Sequence, residues 1–137
     1  MQDTLPIHFA PLQGYTEAIY RNAHDAFFGG VDTYYTPFVR LEKGNFRRRD
    51  VRGIEPENNG VTHLIPQLIA SSAEKAEVIL SLFIEKGYQE VDINLGCPFP
   101  LLAKRHNGSG ILPYPEEVKA LLSIVTRYPQ ISFSVKM

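Results

Sequence analysis

The feature that most constrains this chain is a regular alternation of short apolar, β-branched segments with segments of helical periodicity. Strands are predicted over residues 6–11, 31–36, 61–69, 90–95 and 131–137. Helices are predicted over residues 17–28, 71–87 and 115–128. Strands that alternate with crossover helices pair in parallel, so this order predicts an α/β fold with a parallel sheet.

Local signals mark the predicted start of each helix. Thr16 offers an N-cap hydroxyl to the first helix, and Ser71 with Glu74 has the S-x-x-E form of a capping box. Pro115 suits the first turn of the last helix. Residues 41–60 are polar and rich in arginine, and they are predicted to be a long loop that contains at most a short helix.

Two parallel architectures fit the order of segments. One is a doubly wound sheet of five strands, and the other is the first part of an eight-fold β/α barrel. No G-x-G-x-x-G follows the first strand, which disfavours a dinucleotide-binding sheet. A whole barrel needs about 250 residues. The 137 residues of this chain would therefore form roughly half of one.

Charge and composition exclude several classes of protein. Lys and Arg number 14 against 15 Asp and Glu, so a uniformly basic nucleic-acid binder is not expected. The single cysteine, Cys97, excludes an intrachain disulfide, and the four histidines lack metal-ligand spacing, so no metal is predicted. No apolar run approaches the ~20 residues of a membrane span, and no leader is apparent. We expect a cytoplasmic protein without membrane contact.

Both architectures bind ligands at the carboxyl ends of their strands, so the residues that follow each strand are the candidate site residues. These residues are polar or reactive: Gln13, Arg40, Gln67, Asn94, Cys97 and Lys136. Amides, a thiol and an ammonium group would thus lie together at the carboxyl ends of the strands. Position alone leaves a second interpretation open, in which the cysteine is a small buried apolar residue and the others are ordinary strand-end residues.

Three strings carry a resemblance to a known family. Residues 10–16 read APLQGYT, residues 66–68 read PQL, and residues 92–98 read DINLGCP. In this order they resemble motifs of the tRNA-dihydrouridine synthases, and the G-x-G-x-L of residues 108–112 continues the match. The resemblance spans nearly the whole chain, and DINLGCP with its downstream glycines is the most specific part.

The resemblance implies a TIM-type (β/α)8 barrel that binds FMN, takes electrons from NADPH and reduces the C5–C6 double bond of uridines in tRNA. The implied flavin contacts are Pro11, Leu12 and Gln13, largely through backbone, with Gln67 and Lys136 at the polar edge of the ring. Asn94 would face the uracil, and Arg40 and Lys104 would contact tRNA, as the arginines of residues 47–52 also could. Cys97 would donate a proton to C5, a role that suits a thiol because its ordinary pKa of about 8.5 leaves it protonated at neutral pH.

We expect residues 1–137 to be the N-terminal part of such a barrel, with about five strands and without the family's C-terminal half-barrel and helical RNA-binding domain. An incomplete barrel would leave a strand edge unpaired, which favours self-association and predicts little activity for the isolated chain. Two alternatives remain open. One is another FMN barrel that acts on a free pyrimidine, as dihydroorotate dehydrogenases do, and the other is a non-catalytic tRNA-binding or assembly fragment.

Overall fold

A computed structural model describes residues 4–137 of the chain as a mixed α/β fold. The strands are β1 (His8–Phe9), β2 (Thr33–Tyr35), β3 (Leu41–Glu42), β4 (Asn45–Phe46), β5 (Leu64–Ile65), β6 (Gln67–Leu68), β7 (Glu90–Asn94) and β8 (Ser132–Lys136). The helices are α1 (Ala18–Phe27), α2 (Arg48–Ile54), α3 (Ala73–Glu85), α4 (Pro100–Ala103), α5 (Pro115–Leu122) and α6 (Ile124–Arg127). Short 3-10 helices cover Pro56–Asn58 and Gly108–Ile111.

The main strands pair in parallel and in the order of the sequence, which confirms the predicted parallel α/β fold. One sheet has the order β1-β2-β5 and a second has the order β6-β7-β8. They meet at Pro66, whose missing N–H separates β5 from β6 and whose carbonyl accepts the Asp92 N–H at 3.0 Å. Doubly wound sheets reverse their strand order at a switch point, and this order shows no such reversal.

The predicted long loop over residues 41–60 is wrong at its start, whereas the short helix that the prediction allowed is present as α2. β3 and β4 form an antiparallel hairpin there, and α2 and a 3-10 helix follow it. The hairpin turn consists of Lys43 and Gly44, which both have positive φ, at 51° and 79°. Two positive φ angles match the right-handed twist of the flanking strands, and glycine accepts one of them without strain.

Two predicted helix caps are displaced by one residue. The N-cap of α1 is Glu17, while the Thr16 hydroxyl accepts the Leu12 N–H at 2.8 Å and closes the preceding turn. The N-cap of α3 is Ser72, whose Oγ accepts the Lys75 N–H at 3.4 Å. The last predicted helix does begin at Pro115, but it is divided at Ser123 into α5 and α6.

Packing of α3 against the sheet builds the main core. Ile79, Leu80 and Phe83 of α3 are buried in one cluster with Val91 and Ile93 of β7. A smaller cluster of Phe38, Ile69 and Leu102, against which Cys97 packs, lies beside the candidate site. No helix within residues 4–137 is both long and apolar enough to span a membrane.

A buried arginine joins α1 to the segment after α2. The guanidinium of Arg21 donates to the carbonyls of Thr16 and Gly53 at 2.7 and 2.9 Å, and to Oδ1 of Asn59 at 2.6 Å. Burial lowers the pKa of Arg21 to about 10, so the side chain stays charged at neutral pH. These three acceptors offset part of the cost of burying that charge.

Candidate active site

A cleft of about 190 Å³ lies at the carboxyl ends of the parallel strands. Its lining comes from five segments of the chain: Pro11, Leu12, Gln13, Pro37, Phe38, Gln67, Asn94, Gly96, Cys97, Pro98 and Lys136. All five residues predicted to contact a flavin line this cleft, as do Asn94 and Cys97. Parallel pairing explains the convergence, because Gln67 lies opposite Asp92 and Asn94 lies opposite Lys136 in the register.

A chain of buried hydrogen bonds fixes the amide of Gln67. Its Nε2 donates to Oδ2 of Asp92 at 2.7 Å, and its Oε1 accepts from Nδ2 of Asn94 at 2.9 Å. Ser134 Oγ donates to the other oxygen of Asp92 at 2.6 Å. Gln67 therefore keeps one N–H and one acceptor position for a ligand in the cleft, and a flipped amide would set its oxygen against a carboxylate.

Sequence reasoning missed Asp92 and Ser134. Asp92 is two residues before Asn94 on β7, so both side chains point to the same face of the strand. That alternation was a usable signal for Asp92. Ser134 carried no signal, because its pairing with Asp92 depends on the register between β7 and β8.

The backbone of Cys97 is held on both sides of its half-buried side chain. Oδ1 of Asn94 accepts the N–H groups of Gly96 and Cys97 at 3.1 and 2.9 Å. The Cys97 carbonyl accepts the N–H and the hydroxyl of Ser109 at 3.0 and 3.1 Å. These bonds fix the thiol at the mouth of the cleft, and they leave Asn94 one free N–H for a ligand.

Glycine is required where residues 108–111 pass the cysteine. A Cβ at Gly108 would lie 2.6 Å from the Cys97 carbonyl oxygen and 2.9 Å from Cys97 Cβ, and its φ is +57°. A Cβ at Gly110 would overlap the backbone of Ala103. The spacing of these two glycines in the sequence thus has a steric cause in the close packing of two loop segments.

Gln13 presents an unsatisfied amide to the cleft. Its Nε2 and Oε1 are both buried, and neither has a hydrogen-bond partner among residues 4–137. The neighbouring Leu12 differs from expectation, because its N–H is donated to Thr16 Oγ1 and its carbonyl accepts the N–H groups of Tyr15 and Thr16. Leu12 can therefore meet a ligand through its exposed side chain but not through its N–H.

The predicted tRNA contacts lie outside the cleft. Arg40 lines a neighbouring cavity, and Lys104 is exposed at the end of α4. Arg47 forms two 2.8 Å hydrogen bonds to Asp50, so that member of the arginine cluster is engaged in an ion pair. Within the described residues, no three His, Cys, Asp or Glu side chains are grouped as a metal site requires.

Comparison with known proteins adds a decisive observation. The model of the family described as dihydrouridine synthase matches residues 8–137. The chain belongs to the dihydrouridine synthase family. The match includes every residue that lines the cleft, from Pro11 to Lys136.

Individual relatives agree with this family at modest identity. A probable tRNA-dihydrouridine synthase 1 of Synechocystis sp. is 27% identical over 133 residues, which are 93% of this chain and 35% of that protein. tRNA-dihydrouridine synthase B of Klebsiella pneumoniae is 30% identical over 71 residues, 52% of this chain and 22% of the relative. tRNA-dihydrouridine synthase B of Vibrio cholerae is 32% identical over 71 residues, which are 52% of this chain and 20% of that protein. The chain thus spans about a third of the Synechocystis relative.

Proposed function

We propose that this chain carries the flavin-ring and proton-donor residues of an FMN-dependent tRNA-dihydrouridine synthase that uses NADPH as reductant. The observation that carries the proposal is the convergence on one cleft of seven candidate residues from four separate parts of the sequence. Five are the expected flavin contacts, and the other two are Asn94 and Cys97. Membership of the dihydrouridine synthase family supports the same assignment.

The polar groups of the cleft fit the edge of an isoalloxazine ring, which alternates N–H donors with carbonyl acceptors. Gln13 has a buried amide without a partner among the described residues, and Gln67 keeps one donor and one acceptor position. Lys136 lines the same cleft, and a fixed cation there favours the negative charge of a reduced ring. A flavin at this position would satisfy the amide of Gln13, whose burial without a partner is otherwise costly.

Pro11, Leu12, Gln13, Gln67 and Lys136 would hold the flavin, which would supply hydride chemistry toward C6 of the uracil with NADPH as the reductant. The chain's own residues then have to deliver a proton to C5, where negative charge accumulates. Cys97 is suited to this step because its side chain borders the cleft and its backbone is held by Asn94 and Ser109. The free N–H of Asn94 is available to the uracil.

The sheet order supports the first strands of a (β/α)8 barrel as the surrounding fold, because the strands of the two three-stranded sheets follow the chain order and pair in parallel. The cleft is smaller than the ~300–1,000 Å³ of common small-molecule sites, so further protein surface is needed to enclose a whole cofactor. β8 pairs with β7 alone among the described strands, and self-association through its other edge stays a prediction.

The proposal is tested by titrating the chain with FMN and then following each half-reaction separately. We expect flavin binding by the chain. In the intact enzyme that contains these residues, we expect Cys97→Ala to keep NADPH-dependent flavin reduction while uridine reduction in unmodified tRNA falls by about 100-fold or more. Lys119→Ala on the exposed side of α5 is the matched control and should change neither step.

Each outcome has a distinct meaning. If neither the chain nor the intact enzyme binds FMN, the assignment of the cleft is refuted. Binding of tRNA without FMN favours the non-catalytic fragment. Flavin binding with reduction of a free pyrimidine but not of tRNA favours the dihydroorotate-type alternative. Equal loss of both half-reactions in Cys97→Ala refutes the role of the thiol. Flavin binding without uridine reduction by the wild-type chain agrees with the little activity predicted for residues 1–137 alone.

A further inference from the structure

A second cavity of about 330 Å³ lies beside the cleft and shares none of its residues. We name it the basic cavity and define it by its lining: Arg40, Leu41, Lys43, Gly44, Ile69, Ala70, Lys75, Ile79, Leu102, Arg105 and Asn107. The small cluster of Phe38, Ile69 and Leu102 forms the wall between the two spaces, because Phe38 lines the cleft and the other two line the basic cavity. The two spaces therefore meet at this cluster.

Four cationic side chains from three segments of the chain surround the basic cavity. Arg40 directly precedes β3, and Lys43 lies in the β3–β4 turn. Lys75 lies in the first turn of α3, and Arg105 follows α4. The chain as a whole has a net charge of -1, so this accumulation is local and does not follow from composition. Apolar residues form much of the remaining wall, while the side chains of Lys43, Lys75 and Arg105 are exposed, so solvent screens part of the repulsion among the cations.

The charges of the basic cavity are poorly compensated within the described residues. Glu42 approaches Arg40 at 3.5 Å, the outer limit of a hydrogen bond, and the carboxylate side chain is 56% exposed to solvent. Nε of Arg40 is buried and has no hydrogen-bond partner in residues 4–137. Nζ of Lys75 bonds to the neutral hydroxyl of Ser71 at 3.0 Å. A bound anion would accept a hydrogen bond from the buried Nε of Arg40 and would also offset the repulsion among the four cations.

We propose that the basic cavity binds a phosphodiester group of an RNA strand whose uridine occupies the cleft. This inference rests on the proposed function and adds to it a site for the backbone of the substrate. A base that reacts in a protein cleft must leave its stack, so its flanking phosphates come to lie close to that cleft. Arginine and lysine are the side chains that neutralise phosphate, and the basic cavity supplies two of each.

Salt dependence of tRNA binding tests the proposal directly. Each phosphate contact contributes about 0.7–0.9 to the slope of log affinity against log salt. We expect Lys43→Gln, Lys75→Gln and Arg105→Gln each to reduce this slope by about that amount, and the triple variant by about two or more. All three side chains are exposed, so the variants should fold normally. Lys119→Gln, an equal change of charge on α5, is the control and should keep the wild-type slope.

Further titrations distinguish other sources of phosphate. If the triple variant loses affinity for NADPH or inorganic phosphate while its tRNA slope stays at the wild-type value, the basic cavity holds a small phosphate compound and the RNA assignment is wrong. Wild-type slopes in the triple variant, or absence of salt-dependent tRNA binding by the wild-type chain, also overturn the inference. Flavin titration reports separately on the proposed function, because a chain that binds tRNA with the expected slopes and no FMN contradicts that function alone.

Discussion

Asn94→Ala probes the connection between the amide network and the cysteine. The Asn94 side chain makes three hydrogen bonds, accepting the N–H groups of Gly96 and Cys97 and donating to Gln67 Oε1. Asn94 is 4% exposed and Gln67 is fully buried, so water does not readily replace the lost partners. The substitution should therefore lower stability and release the backbone of Cys97.

The magnitude follows from the count of bonds. A neutral hydrogen bond contributes about 1 kcal/mol net, and a buried acceptor left without a donor adds a desolvation cost of about 1–3 kcal/mol. The three bonds of Asn94 and the acceptor of Gln67 together predict a loss of about 4–6 kcal/mol of unfolding free energy. At about 3–4 °C per kcal/mol for a chain of this size, the melting temperature should fall by about 12–24 °C.

Two assays separate stability from loop release. Urea denaturation measures the free energy of unfolding, and the rate of modification by a thiol reagent reports the exposure of Cys97 under native conditions. We expect both to change in Asn94→Ala. Asn107→Ala removes an asparagine that lies between α4 and the second 3-10 helix. Its Nδ2 donates to the Arg105 carbonyl at an exposed position, so this substitution should cost less than about 1 kcal/mol. A loss below about 1 kcal/mol in Asn94→Ala, with wild-type thiol reactivity, would refute this account of the network.

Two further predictions concern a close contact and a buried hydroxyl. Gly108→Ala should cost about 2–4 kcal/mol in urea denaturation, because it combines a positive φ with a clash against Cys97, whereas Gly87→Ala has φ +87° with open space and should cost only about 1–2 kcal/mol. Equal losses in the two variants would contradict the steric argument. The Tyr88 hydroxyl donates to the Ile54 carbonyl at 2.7 Å, and burial raises the pKa of Tyr88 above its ordinary value of about 10. The contribution of Tyr88 to the stability of the folded chain is therefore fully present below the unfolded pKa and is lost as pH rises through the folded pKa. Tyr88→Phe should therefore show a smaller loss of unfolding free energy above about pH 10 than the wild-type chain, and parallel pH profiles would refute this assignment.

The sequence by itself determined the features that depend on local pattern. Alternating strand and helix segments predicted the parallel sheet, and Pro115 marked the start of α5. Because the carboxyl ends of parallel strands share one edge, strand order alone was enough to assign residues as distant as Gln13, Gln67 and Lys136 to one cleft. Their roles toward a flavin came from the family resemblance and stay proposals.

Tertiary structure decided everything that depends on how segments approach each other. The contact of Ser134 with Asp92 joins residues 42 positions apart, and only strand register brings them together. Register and packing also place Arg40 in the basic cavity with Lys75 and Arg105, although its position after a strand indicated the cleft. These contacts depend on strand register and on the packing of the whole core, which a short stretch of sequence does not determine. The hydrogen bonds that support the site and the neighbouring cluster of cations could therefore be found only in the folded chain.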